Sequence, residues 1–125
     1  MKKEKIEIGV RWLLALMMLV FGANKFGQFL PMPPPPEAGG VFLGALGSAG
    51  YVFPTLGVLY LLGGVLLLAN RAAGLALVLL APLAVNALLY HLKFDPAGAG
   101  ASVLFCLLVA GTAALKPGRF ASLFQ

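Results

Sequence analysis

Charged residues are scarce in this chain of 125 residues and absent from its longest apolar stretches. Only 10% of the residues are Asp, Glu, Lys or Arg, whereas an ordinary soluble domain has about 25%. Four segments carry no formal charge at all: 12–24, 38–70, 72–92 and 96–115. Such segments satisfy their backbone hydrogen bonds as helices in lipid. The composition therefore predicts an integral membrane protein and excludes a soluble domain with a large core.

Cysteine and histidine are nearly absent, which limits the chemistry available to the chain. Cys106 is the single cysteine and His91 the single histidine, so we expect no intramolecular disulfide and no metal site. We also expect no carboxylate inside a span, which excludes catalysis by paired carboxylates. Ser-His-Asp arrangements and glycine-rich phosphate loops are missing as well. The sequence predicts no catalytic residue and no autonomous enzyme, and it identifies no cofactor.

Basic residues exceed acidic ones, and the formal net charge is +5. They cluster at the ends of apolar segments and form no basic stripe interleaved with aromatics, which excludes nucleic acid as a partner. In a four-span arrangement two basic residues, Lys25 and Lys93, lie on one side. The other side receives the remaining seven: Lys2, Lys3, Lys5, Arg11, Arg71, Lys116 and Arg119. The positive-inside rule then predicts cytoplasmic N- and C-termini, with Arg11 snorkelling to the headgroups beside Trp12.

The chain is predicted to be a single membrane domain, residues 1–125, with an all-α fold. Its first apolar run resembles a signal peptide but lacks a small-x-small cleavage site, so we predict an uncleaved first helix. The proline-rich outer loop 29–40 cannot be helical through its four consecutive prolines. Residues 41–50 are too few to span and predict a short interfacial or re-entrant helix, or one packed over the bundle mouth. The four-transmembrane-helix bundle then has spans at about 6–26, 52–69, 72–92 and 101–115.

Small residues in the predicted spans indicate how the helices pack. Lipid gives helices little hydrophobic reason to associate, so close approach depends on Gly and Ala at the contacts. The second span offers Gly57, Gly63 and Gly64 for this purpose. The same residues are equally compatible with contact to a second copy of the chain.

Five polar side chains in or near the spans form a candidate ligand-binding site: Asn24, Lys25, Tyr60, Asn86 and His91. An amide or ionisable group left unpaired in lipid costs several kcal/mol, so such groups usually have a partner or a function. At about 1.5 Å of rise per residue, the two asparagines reach similar depths in the outer half of the membrane. The sequence therefore predicts a small site beneath the proline-rich loop.

Each of these residues also has a purely structural interpretation. Lys25 can snorkel to the outer headgroups, and His91 can end a helix at the interface. Tyr60 and the two asparagines can form hydrogen bonds between helices. The sequence leaves both interpretations open.

Pro82 gives the third span its predicted orientation. Proline has no amide hydrogen to donate to the carbonyl of Val78, so a kink is expected there. Asn86 and Tyr90 share the Pro82 face at i+4 spacing. We therefore predict that both line one inward surface, whereas His91 points elsewhere.

The chain resembles the small DoxX-like integral membrane proteins of bacteria over most of residues 10–100. The matching stretches are FGANKF (21–26), the proline loop (31–36), GYVFP (50–54), GGVLLLANR (63–71) and APLAVN (81–86), followed by His91 and Asp95-Pro96. The resemblance implies a four-helix bundle in the bacterial inner (cytoplasmic) membrane and a link to quinone-dependent redox complexes. Similar proteins usually carry Glu in the second span where this chain has Tyr60, so any role of that carboxylate would be absent here.

Two classes of function are compatible with these features. The first is a non-catalytic subunit or accessory of a larger membrane complex, with another membrane protein or a second copy as its partner. The alternative is a binder or carrier of a small amphipathic molecule, such as a quinone or lipid, at the outer site. A small-solute exporter is the weakest match, because exporters of this size depend on a first-span Glu that is missing here.

Overall fold

The computed structural model describes residues 2–31 and 34–124, and these residues are almost entirely helical. The α-helices are α1 (Lys2–Gly27), α2 (Glu37–Ala49), α3 (Val52–Ala69), α4 (Ala73–Phe94) and α5 (Gly100–Leu115). Two 3-10 segments follow α4 and α5, at Pro96–Gly98 and Pro117–Phe124. No strand occurs within the described ranges, which confirms the all-helical prediction.

Among the described helices, α1, α3 and α4 are long and apolar enough to cross a membrane. Helix α5 is also apolar but has only 16 residues. At about 1.5 Å per residue it is roughly 24 Å long, somewhat less than the hydrocarbon thickness of about 30 Å. The structure thus shows a helical protein with three helices of spanning length, and a fourth span remains a prediction.

The observed helix ends differ from the predicted ones where the flanking residues favour helix. Helix α1 begins at Lys2 rather than near residue 6, because Lys and Glu are good helix formers outside the apolar run. Helix α2 begins at Glu37, inside the predicted loop 29–40, because a carboxylate favours the first turn of a helix. It ends at Ala49 and is followed by Gly50 with a φ of 84°. Asn70, whose backbone is also in the left-handed conformation, follows the last residue of α3.

Helices α1 and α3 pack antiparallel and very closely. A Cβ atom at Gly64 would lie 3.1 Å from the carbonyl oxygen of Ala15, and one at Gly57 would lie 2.6 Å from the Phe26 ring. The later of these two α3 positions therefore meets the middle of α1, and the earlier one meets the end of α1. The expectation that small residues mediate close helix packing holds at both positions.

The remaining helices complete a bundle in which α4 packs against α3 and α5, and α5 returns to α1. The inward stripe of α4 consists of residues at three- and four-residue spacing: Ala73, Ala76, Leu77, Leu80 and Ala84. Helix α2 packs over the end of α4, where the Phe42 ring stacks on Tyr90 and Phe94 at centroid distances of 5.9 and 5.2 Å. The sequence left several interpretations open for residues 41–50. The structure shows one of them, a helix packed against the end of the bundle.

Candidate functional site

Two of the five predicted site residues are in contact with each other. The Nζ atom of Lys25 lies 5.4 Å from the centroid of the Tyr60 ring, which is a cation–π distance. Tyr60 is buried, and its ring meets Phe105 edge-on with centroids 5.7 Å apart. Helices α1, α3 and α5 therefore each contribute one side chain to this contact. It places the side chain of the half-buried Lys25 over one aromatic ring, which in turn packs on a second.

Asn24 and His91 make local contacts at helix ends. The Leu30 amide donates a 2.9 Å hydrogen bond to Asn24 Oδ1, which closes the turn after α1. His91 Nδ1 lies 3.8 Å from Asp95 Oδ2 at the end of α4. Its ring also meets Tyr90 edge-on at a centroid distance of 4.9 Å. His91 thus ends a helix, as one interpretation of the sequence had it, whereas the Asn24 side chain bonds within its own turn and not to another helix.

Asn86 lies on the outside of the bundle, where its side chain is exposed. The inward orientation predicted for Asn86 is wrong. At 3.6 residues per turn, a residue two positions after the buried Ala84 points to roughly the opposite side of the helix. Its amide forms no hydrogen bond with any side chain or backbone group in residues 2–31 and 34–124. Tyr90 is half-buried beneath α2, so the two residues do not line one inward surface.

The structure has a buried group of three charged residues, and its carboxylate, Glu7, lies in α1 within the predicted first span of 6–26. The expectation that no span contains a carboxylate is therefore wrong. We call Glu7, Arg11 and Arg119 the charge cluster. Glu7 Oε1 accepts hydrogen bonds from Arg11 Nε at 3.0 Å and from Arg119 Nη2 at 2.7 Å. Glu7 and Arg11 are 7% and 5% exposed, so neither side chain reaches bulk solvent freely. The cluster ties the 3-10 segment after α5 to the first turns of α1.

The two arginines also bond to carbonyl groups near helix C-termini. Arg11 Nη1 donates to the Leu67 carbonyl in the last turn of α3, and Arg119 Nη1 donates to the Thr112 carbonyl of α5 at 3.2 Å. Such carbonyls carry the negative end of the helix dipole and favour a cation. Arg11 therefore does not snorkel to the headgroups as predicted, because a carboxylate and a carbonyl inside the bundle bind its guanidinium.

Two cavities open at the same end of the bundle as the charge cluster. The first, of about 400 Å³, is lined by Lys3, Arg11, Asn70 and Lys116 among others. The second, of about 430 Å³, is lined by Asn70, Lys116, Arg119 and the start of α4. Asn70 and Lys116 line both cavities, so the two adjoin. Sequence reasoning placed the candidate site at the opposite end of the spans.

Neither a metal site nor a similar protein identifies a function for the charge cluster or the cavities. The described part of the chain contains no group of three or more His, Cys, Asp or Glu side chains that could hold a metal ion. No family model, curated protein or solved structure matches the chain. The resemblance to DoxX-like proteins therefore stays a prediction from the sequence.

Proposed function

We propose that this chain is a four-span protein of the bacterial inner membrane, with cytoplasmic termini, that acts as a non-catalytic subunit or accessory of a larger membrane assembly. Three helices of spanning length support the membrane location. The resemblance to DoxX-like proteins supports the compartment and the accessory role. The observation that carries the proposal is the outward orientation of Asn86.

Asn86 belongs to a stripe that we call the α4 outer face: Val78, Pro82, Val85, Asn86 and Leu89, all exposed. The three aliphatic members are about half exposed, at 49%, 52% and 56%. In a bilayer this stripe would meet acyl chains, which offer an amide no hydrogen bond, and an unpaired amide costs several kcal/mol there. A polar group on a neighbouring helix would remove that cost.

Pro82 adds a second polar group to the same face. Because proline has no amide hydrogen, the carbonyl of Val78 lacks the donor that an α-helix normally supplies. Val78 and Asn86 are eight residues apart, or about 12 Å along the helix. A partner helix lying along the α4 outer face could therefore donate to the carbonyl and pair with the amide. This arrangement fits a subunit better than it fits an isolated bundle.

Purification in mild detergent tests the proposal. We expect the wild-type chain to co-elute with a stoichiometric membrane-protein partner, and Asn86→Leu to retain less of it. Hydrogen bonds between helices in membranes contribute about 0.6–2 kcal/mol, so the expected loss of affinity is about 3- to 30-fold. Leu107→Val, at another exposed position (63%) on α5, is the matched control and should retain the partner.

Two results would overturn the subunit proposal. One is a wild-type chain that purifies as a lone, well-behaved oligomer. The other is Asn86→Leu retaining as much partner as wild type. A quinone or lipid recovered in stoichiometric amount without a protein partner would instead support the carrier function, provided that substitution of Lys25 or Tyr60, the two residues in contact, lowers the amount recovered.

A further inference from the structure

The two adjoining cavities concentrate positive charge from separate parts of the chain. We call them together the basic recess, lined by Lys3 of α1, Asn70 after α3, Lys116 after α5, and the two arginines of the charge cluster. The acidic lining residues are Glu4 and Glu7. Four cationic and two anionic side chains leave a formal charge of +2. The recess is therefore a concave surface with an uncompensated positive charge.

Arg11, one of the two arginines in this recess, has hydrogen-bond donors that no described residue uses. A guanidinium has five N–H donors, and Arg11 uses its Nε and Nη1 atoms for Glu7 and Leu67. Its Nη2 atom bonds to nothing among the residues that the structure describes, although the side chain is only 6% exposed and lines the first cavity. Two partners therefore fix the guanidinium, and its Nη2 group stays available to donate.

The lysines of the recess are likewise available. Neither Lys3 nor Lys116 forms an ion pair with a carboxylate in the described part of the chain. Glu7 is already bound by two guanidinium groups, so it does not neutralise either ammonium. Two ammonium groups and the Nη2 group of a fixed guanidinium therefore border the same cavity.

We propose that the basic recess binds a phosphate group, carried either by an anionic lipid headgroup or by soluble phosphate. Guanidinium groups match phosphate oxygens through paired N–H donors, and lysine adds a point charge. The Asn70 amide supplies a further donor. Basic recesses between spans on the cytoplasmic side suit anionic headgroups. Asn86 lies 13 residues beyond the start of α4, or about 20 Å from this end, so the site is independent of the α4 outer face.

Lipid retention by the purified full-length protein tests the proposal. Native mass spectrometry would compare retained phosphatidylglycerol with phosphatidylcholine after reconstitution with an equimolar mixture. We expect preferential retention of phosphatidylglycerol, reduced about fivefold by Lys3→Gln or Lys116→Gln, since each basic residue near anionic lipid contributes about 1 kcal/mol. Lys5→Gln and Lys93→Gln remove the same charge from exposed positions outside the recess and are the controls.

A substitution of opposite sign and a competition experiment complete the test. Glu4→Gln removes a repelling carboxylate from the recess and should increase phosphatidylglycerol retention. The competition experiment adds millimolar inorganic phosphate. If phosphate displaces the lipid, and also binds the lipid-free protein in calorimetry, the site is one for soluble phosphate. If the lipid is retained in the presence of phosphate, the site is one for a lipid headgroup. Equal retention of both lipids without phosphate binding, or recess variants that behave like the Lys5 and Lys93 controls, would overturn the proposal.

Discussion

Glu7 is the residue on which the electrostatics of the charge cluster depend. Removing an ion from water costs several kcal/mol even after the protein relaxes, and only close partners offset that cost. Here one carboxylate accepts hydrogen bonds from two guanidinium groups, at 3.0 and 2.7 Å. Loss of either arginine leaves one pair intact. Loss of the carboxylate leaves two buried cations that repel each other.

Glu7→Gln should therefore lower the stability of the folded protein substantially. Breaking a buried ion pair by removing one partner typically costs about 3–5 kcal/mol, because the remaining charge is left uncompensated. The measurement is the thermal unfolding midpoint in detergent, followed by circular dichroism. Glu4→Gln removes a charge from an exposed position in the first turn of α1 and should lower the midpoint much less, because a carboxylate there contributes at most about 1 kcal/mol. Equal midpoints for Glu7→Gln and wild type would show that the cluster adds no stability.

The charge cluster also shows how much of a buried contact can be predicted from the sequence. Glu7 and Arg11 are four residues apart on a helix, a spacing that by itself suggests an ion pair. Arg119 lies 112 positions from Glu7, and nothing in the local sequence indicates that the two meet. Their contact depends on the antiparallel order of the bundle, which brings the end of the chain back to α1. The pair of Glu7 and Arg11 could thus be predicted from their spacing, whereas the contact of Arg119 with Glu7 could be recognised only in the folded structure.

At the scale of elements, the contact between α1 and α3 depends on glycine more than on large apolar side chains. A Cβ atom at Gly64 would lie 2.9 Å from Leu19 Cγ and 3.1 Å from the Ala15 carbonyl oxygen. A leucine side chain can shift, whereas a backbone carbonyl in the middle of α1 cannot move without moving the helix. Gly64 therefore sets the distance between the two helices.

Gly64→Ala and Gly111→Ala form a matched pair that isolates this effect. Both changes improve helix propensity by about 1 kcal/mol, so Gly111→Ala on α5, whose nearest neighbour would be Val10 at 3.7 Å, should be neutral or stabilising. Gly64→Ala should be net destabilising, because overpacking costs about 1–3 kcal/mol. Thermal unfolding of both variants in the same detergent gives the comparison. A Gly64→Ala protein as stable as the Gly111→Ala protein would contradict close packing of α1 on α3.

Helix α4 illustrates why the existence of an element is easier to predict than its orientation. Its apolar length follows directly from the sequence, and its observed range, Ala73–Phe94, is close to the predicted 72–92. Both its buried stripe and its exposed stripe are apolar, as suits a helix between protein and lipid, so hydrophobicity does not identify the inward face. Pro82 and Asn86 suggested a polar interior, whereas Leu80 and Ala84 fill it.

For the whole molecule, the order of the helices places the start of α1 and the segment after α5 at one end. Arg119 reaches Glu7, and Arg11 reaches the last turn of α3, so the start of α1, the end of α3 and the segment after α5 all meet there. Helix α2 covers the end of α4 at the other side of the bundle. In the proposed topology, which follows the positive-inside rule, the end with the arginines faces the cytoplasm.

Cysteine accessibility in intact cells tests this assignment without altering any charge. In a Cys106→Ala background, Ser48→Cys on α2 and Gly118→Cys after α5 each introduce one thiol at an exposed position. We expect a membrane-impermeant maleimide to label Ser48→Cys from outside and Gly118→Cys only after permeabilisation. The proposed topology places the two positions on opposite sides of the bilayer, which the reagent does not cross. The wild-type protein is the control: the Cys106 thiol donates to the Ala84 carbonyl at 3.3 Å inside the bundle and should stay unlabelled in intact cells. Labelling of both introduced thiols from outside would contradict the four-span topology, and the reverse pattern would place the basic recess on the outer surface.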